Sequence, residues 1–135
     1  MMGFEEVEHT ADKALRIFGT NLPDLFLSAA VGLTHLMGVD LSGISTEIGK
    51  SIELEAIDAE SLLVEWLSEL AYWAESEMLV FKEFRIQKAT ATQLRAKILG
   101  GKTSTLQKHI KAVTYHNLKI KKTSEGLEAT IVFDV

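Results

Sequence analysis

Apolar and polar residues alternate in two short runs near the start of the chain, FEEVEH (4–9) and ALRIFG (14–19). A period of two is that of a strand, and the runs meet at a turn, Thr10-Ala11-Asp12. The period then lengthens. Leu22, Leu25, Phe26, Ala29, Leu33, Leu36 and Met37 recur at helical spacing after Asn21, a good N-cap, with Pro23 and Asp24 suited to a first turn. Gly38 reads as the stop. DLSGISTEIGK (40–50) is rich in Gly, Ser and Thr and reads as an exposed loop.

SIELEAI (51–57) alternates again as a strand. Asp58 then caps a helix over about residues 59–76, with Leu62, Leu63, Trp66, Leu67, Leu70 and Trp73 on its buried side and Glu65, Glu69 and Glu75 mostly opposite. From Phe81 the period returns to two in FKEFRIQ, TQLRAKIL, AVTYHNLKIKK and LEATIVFD, the last two flanking a hairpin turn at TSEG. Two strands, a helix, a strand, a helix and four strands contain no repeated parallel crossover. The expected class is α+β: two layers, a mainly antiparallel sheet with both long helices on one face. No linker, repeat or low-complexity segment interrupts residues 1–135, which read as one domain.

Composition narrows the function. With 135 residues and 47% hydrophobic content the chain can bury a sizeable core. No run of about 18 apolar residues suggests a membrane span, and MMGFEEVEH does not resemble a signal peptide. There is no cysteine, hence no disulfide, thiolate metal site or cysteine nucleophile. A cytoplasmic protein is the simplest expectation. The net charge of −5 is unevenly spread: residues 1–80 carry −12 and residues 81–135 carry +7. An acidic protein is a poor candidate for tight, unaided nucleic-acid binding.

Most candidate motifs fail on spacing. ILGGKTST (98–105) contains Gly-Lys-Thr, but a phosphate loop needs a glycine where Ala96 stands, so a polar inter-strand loop is expected. His9, His35, His109 and His116 form no zinc-protease pattern and read as structural, His9 by steadying the Asp12 turn. Ser42 has no assignable catalytic partner. Lys119, Lys121 and Lys122 suit a solvated strand edge. Asp12 and the closing IVFDV remain. In the last strand Leu127, Ala129, Ile131 and Phe133 share a face, leaving Asp134 on the other beside the terminal Val135. Two carboxylates about 5 Å apart repel by roughly 3 kcal/mol at an effective dielectric of 20. If Asp12 and Asp134 are neighbours, one takes up a proton or a cation sits between them, and a hard divalent ion prefers such oxygens.

EHTAD (8–12), the helix opening LPDLFLSAA, LLVEWLSELAYWAE (62–75), IKAVTYHNLKI (110–120) and VFDV occur in this order from about Phe4 to Val135. Together they resemble the archease family. The resemblance implies a small α+β protein that assists the RtcB-type RNA ligase of tRNA splicing, promoting guanylylation of the ligase histidine and repeated turnover without being the ligase itself. It implies a divalent metal site at Asp12, Asp134 and Val135, the last through backbone oxygen, with calcium expected and magnesium or manganese as alternatives. It also implies a functional lysine at Lys111; Tyr115 and His116 lie in the same stretch without an assigned role. Many members have Ile-Gly after HTAD where this chain has Lys13-Ala14, which leaves Asp12 intact. The rival expectations are a metal-dependent phosphohydrolase using Asp12 and Asp134, and a general chaperone or scaffold for RNA-processing proteins.

Overall fold

Two capping side chains start the helices where the sequence marks them. Asn21 Oδ1 accepts from the Asp24 N–H at 3.0 Å, and Asp58 Oδ1 accepts from the Ser61 N–H at 2.8 Å, each satisfying a donor with no intrahelical partner. The computed structural model describes residues 2–8 and 12–135. Among these residues the order is β1 (Gly3–Glu8), β2 (Lys13–Gly19), α1 (Leu22–Leu36), β3 (Ile48–Glu55), α2 (Ala59–Glu77), β4 (Leu79–Ala89), β5 (Gln93–Lys102), β6 (Ala112–Val113), β7 (Lys121–Thr123) and β8 (Gly126–Asp134).

Every strand pairing among the described residues is antiparallel, and the class is α+β as expected. The strands divide into two sheets. One runs β1-β2-β8-β6, with β7 also on β8; the other is β3-β5-β4. Helix α1 packs on β1 and β2 and also reaches β4, while α2 packs on β3, β4, β5 and β6.

Helix α1 is buried around more of its circumference than its apolar stripe suggests, with Ser28, Gly32 and Thr34 also inside. Ser28 Oγ accepts from the Gly3 N–H and donates to the Phe18 carbonyl, tying the helix to β1 and β2. A Cβ at Gly32 would stand 3.1 Å from the Phe4 side chain, so glycine permits this close approach. The fully buried Trp66 of α2 donates its indole N–H to the Phe26 carbonyl of α1 at 2.9 Å. One contiguous core runs through both helices and both sheets.

Three sequence expectations are corrected. The loop assigned to 40–50 ends early, because β3 already begins at Ile48. Gly100, Gly101 and Lys102 belong to β5, not to a loop. A Cβ at Gly100 would lie 2.0 Å from the Val80 carbonyl oxygen, so the glycine admits the β4 backbone. The run AVTYHNLKIKK is not one strand. It breaks after Val113 into a turn, closed by the Leu118 N–H on the Tyr115 carbonyl at 3.0 Å. Asn117 there adopts φ 52°, a conformation asparagine tolerates better than most residues.

Candidate functional site

β8 is the spine of the site. On one flank it pairs with β2, ending at Lys13↔Phe133; on the other it pairs with β6 through Val113↔Phe133 and Ala112↔Asp134. The alternation that buries Ala129, Ile131 and Phe133 turns Asp134 to solvent. Asp12, half-buried, is the residue immediately before Lys13. Directly opposed residues in such a ladder lie about 4.5–5.5 Å apart at Cα and share a face. The ladder ends at Lys13; continued by one residue, its register would set Asp12 opposite Asp134.

Lys111 joins the same end of the sheet. Its backbone N–H donates to the Asp134 carbonyl at 2.8 Å, and its side chain is exposed. The preceding Ile110 is 2% exposed and anchors the segment. The Ile110 N–H donates to Glu75 Oε2 at 3.2 Å, and Glu75 Oε1 also lies 3.1 Å from His109 Nδ1. Glu75 of α2 is thus a positioning residue for Lys111. Periodicity marks it only as a solvent-side glutamate, because its partner lies 34 residues away. Lys111 borders a groove of about 380 Å³ that also includes Tyr72, Ala112 and Val113. Val135 is half-buried against the core, which fixes the last residue beside Asp134.

The other candidates separate from this end or from each other. His9, Thr10 and Ala11 lie outside the described residues. His35 is exposed on α1, its ring 5.2 Å from that of Phe4. His116 donates its backbone N–H to Thr114 Oγ1 at 3.3 Å in the turn after β6. Ser42 Oγ donates to Asp40 Oδ1 at 2.7 Å. This bond and the Ser42 backbone N–H hold the Asp40 carboxyl below the usual carboxylate range. That pair caps a turn, as expected of structural residues rather than a nucleophile and its base.

Among the described residues no three His, Asp or Glu side chains form a metal-holding group. With Asp12 opposite Asp134, the donor set there would be two carboxylates supplemented by main-chain oxygen. Such a set suits a hard oxygen-seeking cation and would leave coordination positions for water or a partner's groups, since Ca²⁺ takes six to eight oxygens. It does not suit a closed zinc site. No helix among the described residues is long and apolar enough to cross a membrane.

Comparison with known proteins extends the local geometry to the whole chain. The profile of the Archease protein family (MTH1598/TM1083) matches residues 4–135. The protein archease of Methanosarcina barkeri is 36% identical over 140 residues, spanning 98% of this chain and 95% of its own. The solution structure of Methanobacterium thermoautotrophicum protein 1598 superposes with a TM-score of 0.75 at 26% identity, covering 98% of this chain and 99% of that one. The crystal structure of a Thermotoga maritima archease, described as a possible chaperone, gives 0.71 at 26% identity, over 97% and 96% of the two chains. With a profile match and relatives of this coverage, the chain belongs to the archease family.

Proposed function

We propose that this protein is an accessory activator of an RtcB-type RNA ligase, acting on the ligase's guanylylation and turnover and not as a catalyst itself. The observation that supports the reading is the convergence of the first bend, the Ile110–Val113 segment and the carboxyl end on β8, with the Lys111 N–H on the Asp134 carbonyl. Asp12 and Asp134 would hold a divalent cation, most naturally calcium, with a Val135 backbone oxygen completing the protein's share. The ion would supply positive charge for phosphoryl oxygens. The exposed Lys111 ammonium would add a mobile cation at the rim, and phosphoryl transfer depends on offsetting charge that develops on those oxygens. Docked at the nucleotide site of the ligase, this end would order the triphosphate for attack by the ligase histidine. Such a role places the protein in the cytoplasm, with the ligase as its partner.

The test is ligase guanylylation with wild type, Asp12→Ala, Asp134→Ala and Lys111→Ala. Each substitution should lower stimulation at least tenfold, and stimulation by all three at the wild-type level would show that the site is misassigned. A general chaperone role, suggested by the description of the Thermotoga relative, predicts ligase binding that survives loss of both aspartates and an unchanged guanylylation rate. A phosphohydrolase predicts nucleotide turnover by the purified protein without ligase.

A further inference from the structure

The solvent-facing side of the three-stranded sheet carries Arg85 and Lys88 of β4 and Arg95 and Lys97 of β5, all exposed. Leu94, Ala96 and Ile98 alternate with the β5 cations and point into the core. The register sets Arg85 directly opposite Lys97, and Lys88 directly opposite Arg95. Opposed side chains on one face have Cβ atoms about 5 Å apart, and same-face residues two apart in a strand are separated by about 7 Å. The four cations form a two-by-two square.

A β-bulge creates half of it. Between Ile86 and Lys88 the register slips by one residue, which brings Lys88, not Gln87, opposite Arg95. Like charges in direct opposition destabilise paired strands, and the nearby acids relieve little of this. Glu83 pairs with Arg85 at 3.1 Å, while Glu53, across from Arg95, and Glu55 line the same groove as Lys88 and Arg95 without an ion pair to either. Lys88 donates to Gln93 Oε1 at 2.6 Å. Among the described residues no carboxylate pairs with Lys88, Arg95 or Lys97.

We propose that this square is a contact surface for a nucleic-acid phosphate backbone, single-stranded RNA in the setting described above. A regular array of cations, three of the four without a carboxylate partner, matches a regular array of anions. No aromatic side chain on this face offers a stacking platform, so the contact reads backbone and not bases. Binding is therefore weak, indifferent to sequence and governed by salt, which is compatible with a net charge of −5. The choice of RNA rests on the proposed function, whereas the binding test below needs neither the metal site nor the ligase.

Fluorescence anisotropy with a labelled oligouridylate tests it directly. Four cations on a single strand give a log–log salt slope of about −3, so affinity falls roughly fifty-fold between 50 and 200 mM salt. Arg95→Gln/Lys97→Gln halves the slope and reduces that fall to roughly seven-fold. Lys119→Gln/Lys121→Gln, away from this sheet, leaves the slope unchanged. Lys97→Glu abolishes binding without lowering the thermal midpoint, since it replaces a repulsive cross-strand pair with an attractive one. An unchanged slope in the Arg95/Lys97 variant overturns the proposal, as does absence of binding at 50 mM salt. Competition by polyglutamate as effective as by RNA of equal charge also overturns it, because the face would then be a general acidic-protein surface.

Discussion

Asp58 and Asn21 perform the same task with different chemistry, and this makes them separable by pH. The Ser61 N–H on Asp58 holds its carboxyl below the ordinary value of 3.8. A group that is the stronger acid when folded contributes its full stability above the unfolded value and loses it as pH falls through the lowered folded value. Thermal midpoints measured from neutral pH to below about pH 4 should therefore drop less steeply in Asp58→Asn, whose amide oxygen still caps α2 without titrating. Asn21→Ala removes a cap with no ionisation, and should cost about 1 kcal/mol at every pH in denaturant titrations. Near the candidate site, Val135→Ala should leave ligase stimulation close to wild type, because only a backbone oxygen is asked of that position. Asp134→Asn should not, because on the proposed reading it keeps an oxygen but removes the negative charge that a hard cation binds most strongly.

Glycines and a left-handed asparagine account for the elements that departed from expectation. Gly100 reads locally as a loop residue in GGKTST, yet it sits where β4 passes so closely that a methyl group would meet the Val80 carbonyl oxygen at 2.0 Å and Phe81 Cα at 2.6 Å. Gly100→Ala should destabilise the protein by at least about 3 kcal/mol, measured by chemical unfolding, because the obstruction is backbone and cannot rotate away. The turn at Tyr115–Leu118 rests on a backbone position of the same kind. In AVTYHNLKIKK the apolar positions change phase at the break, from Val113 and Tyr115 to Leu118 and Ile120, where Asn117 takes its positive φ. By contrast, the TSEG hairpin was legible: Thr123 pairs with Gly126 across a two-residue loop, and Gly126 at φ 141° is where a residue without Cβ is required.

Three strands from distant parts of the chain bring Asp12, Lys111 and Asp134 to one end of the larger sheet, so a cation held there would link both termini of the fold. A ligand that binds only the folded state stabilises it by about 2.7 kcal/mol at one hundred times its dissociation constant. Calcium should accordingly raise the thermal midpoint of wild type by several degrees, chelation should reverse the rise, and Asp12→Asn or Asp134→Asn should abolish it. The charge imbalance between the halves of the chain is also resolved in space. Acids of the first half and bases of the second are interleaved in pairs such as Lys102 with Glu77 and His109 with Glu75. Four bases nevertheless remain grouped on β4 and β5, because their strands are neighbours and their register opposes like with like.

The amino-acid sequence by itself determined what depends on contiguous residues: both helices, their caps, the closing hairpin, the α+β class and the buried face of β8. These follow from periodicity and from side chains bonding to backbone two or three residues away. Which strands pair, and in what register, is decided by tertiary packing. A slip of one residue along β8 would send Asp134 to the core and Phe133 to solvent. The burial of Ile131 and Phe133 forbids that slip, and this alignment sets the first bend, Lys111 and the carboxyl end side by side. Neither the division into two sheets, nor the clamp of Glu75 on the segment before Lys111, nor the cation square leaves a local trace, because each is a relation between residues far apart in the chain.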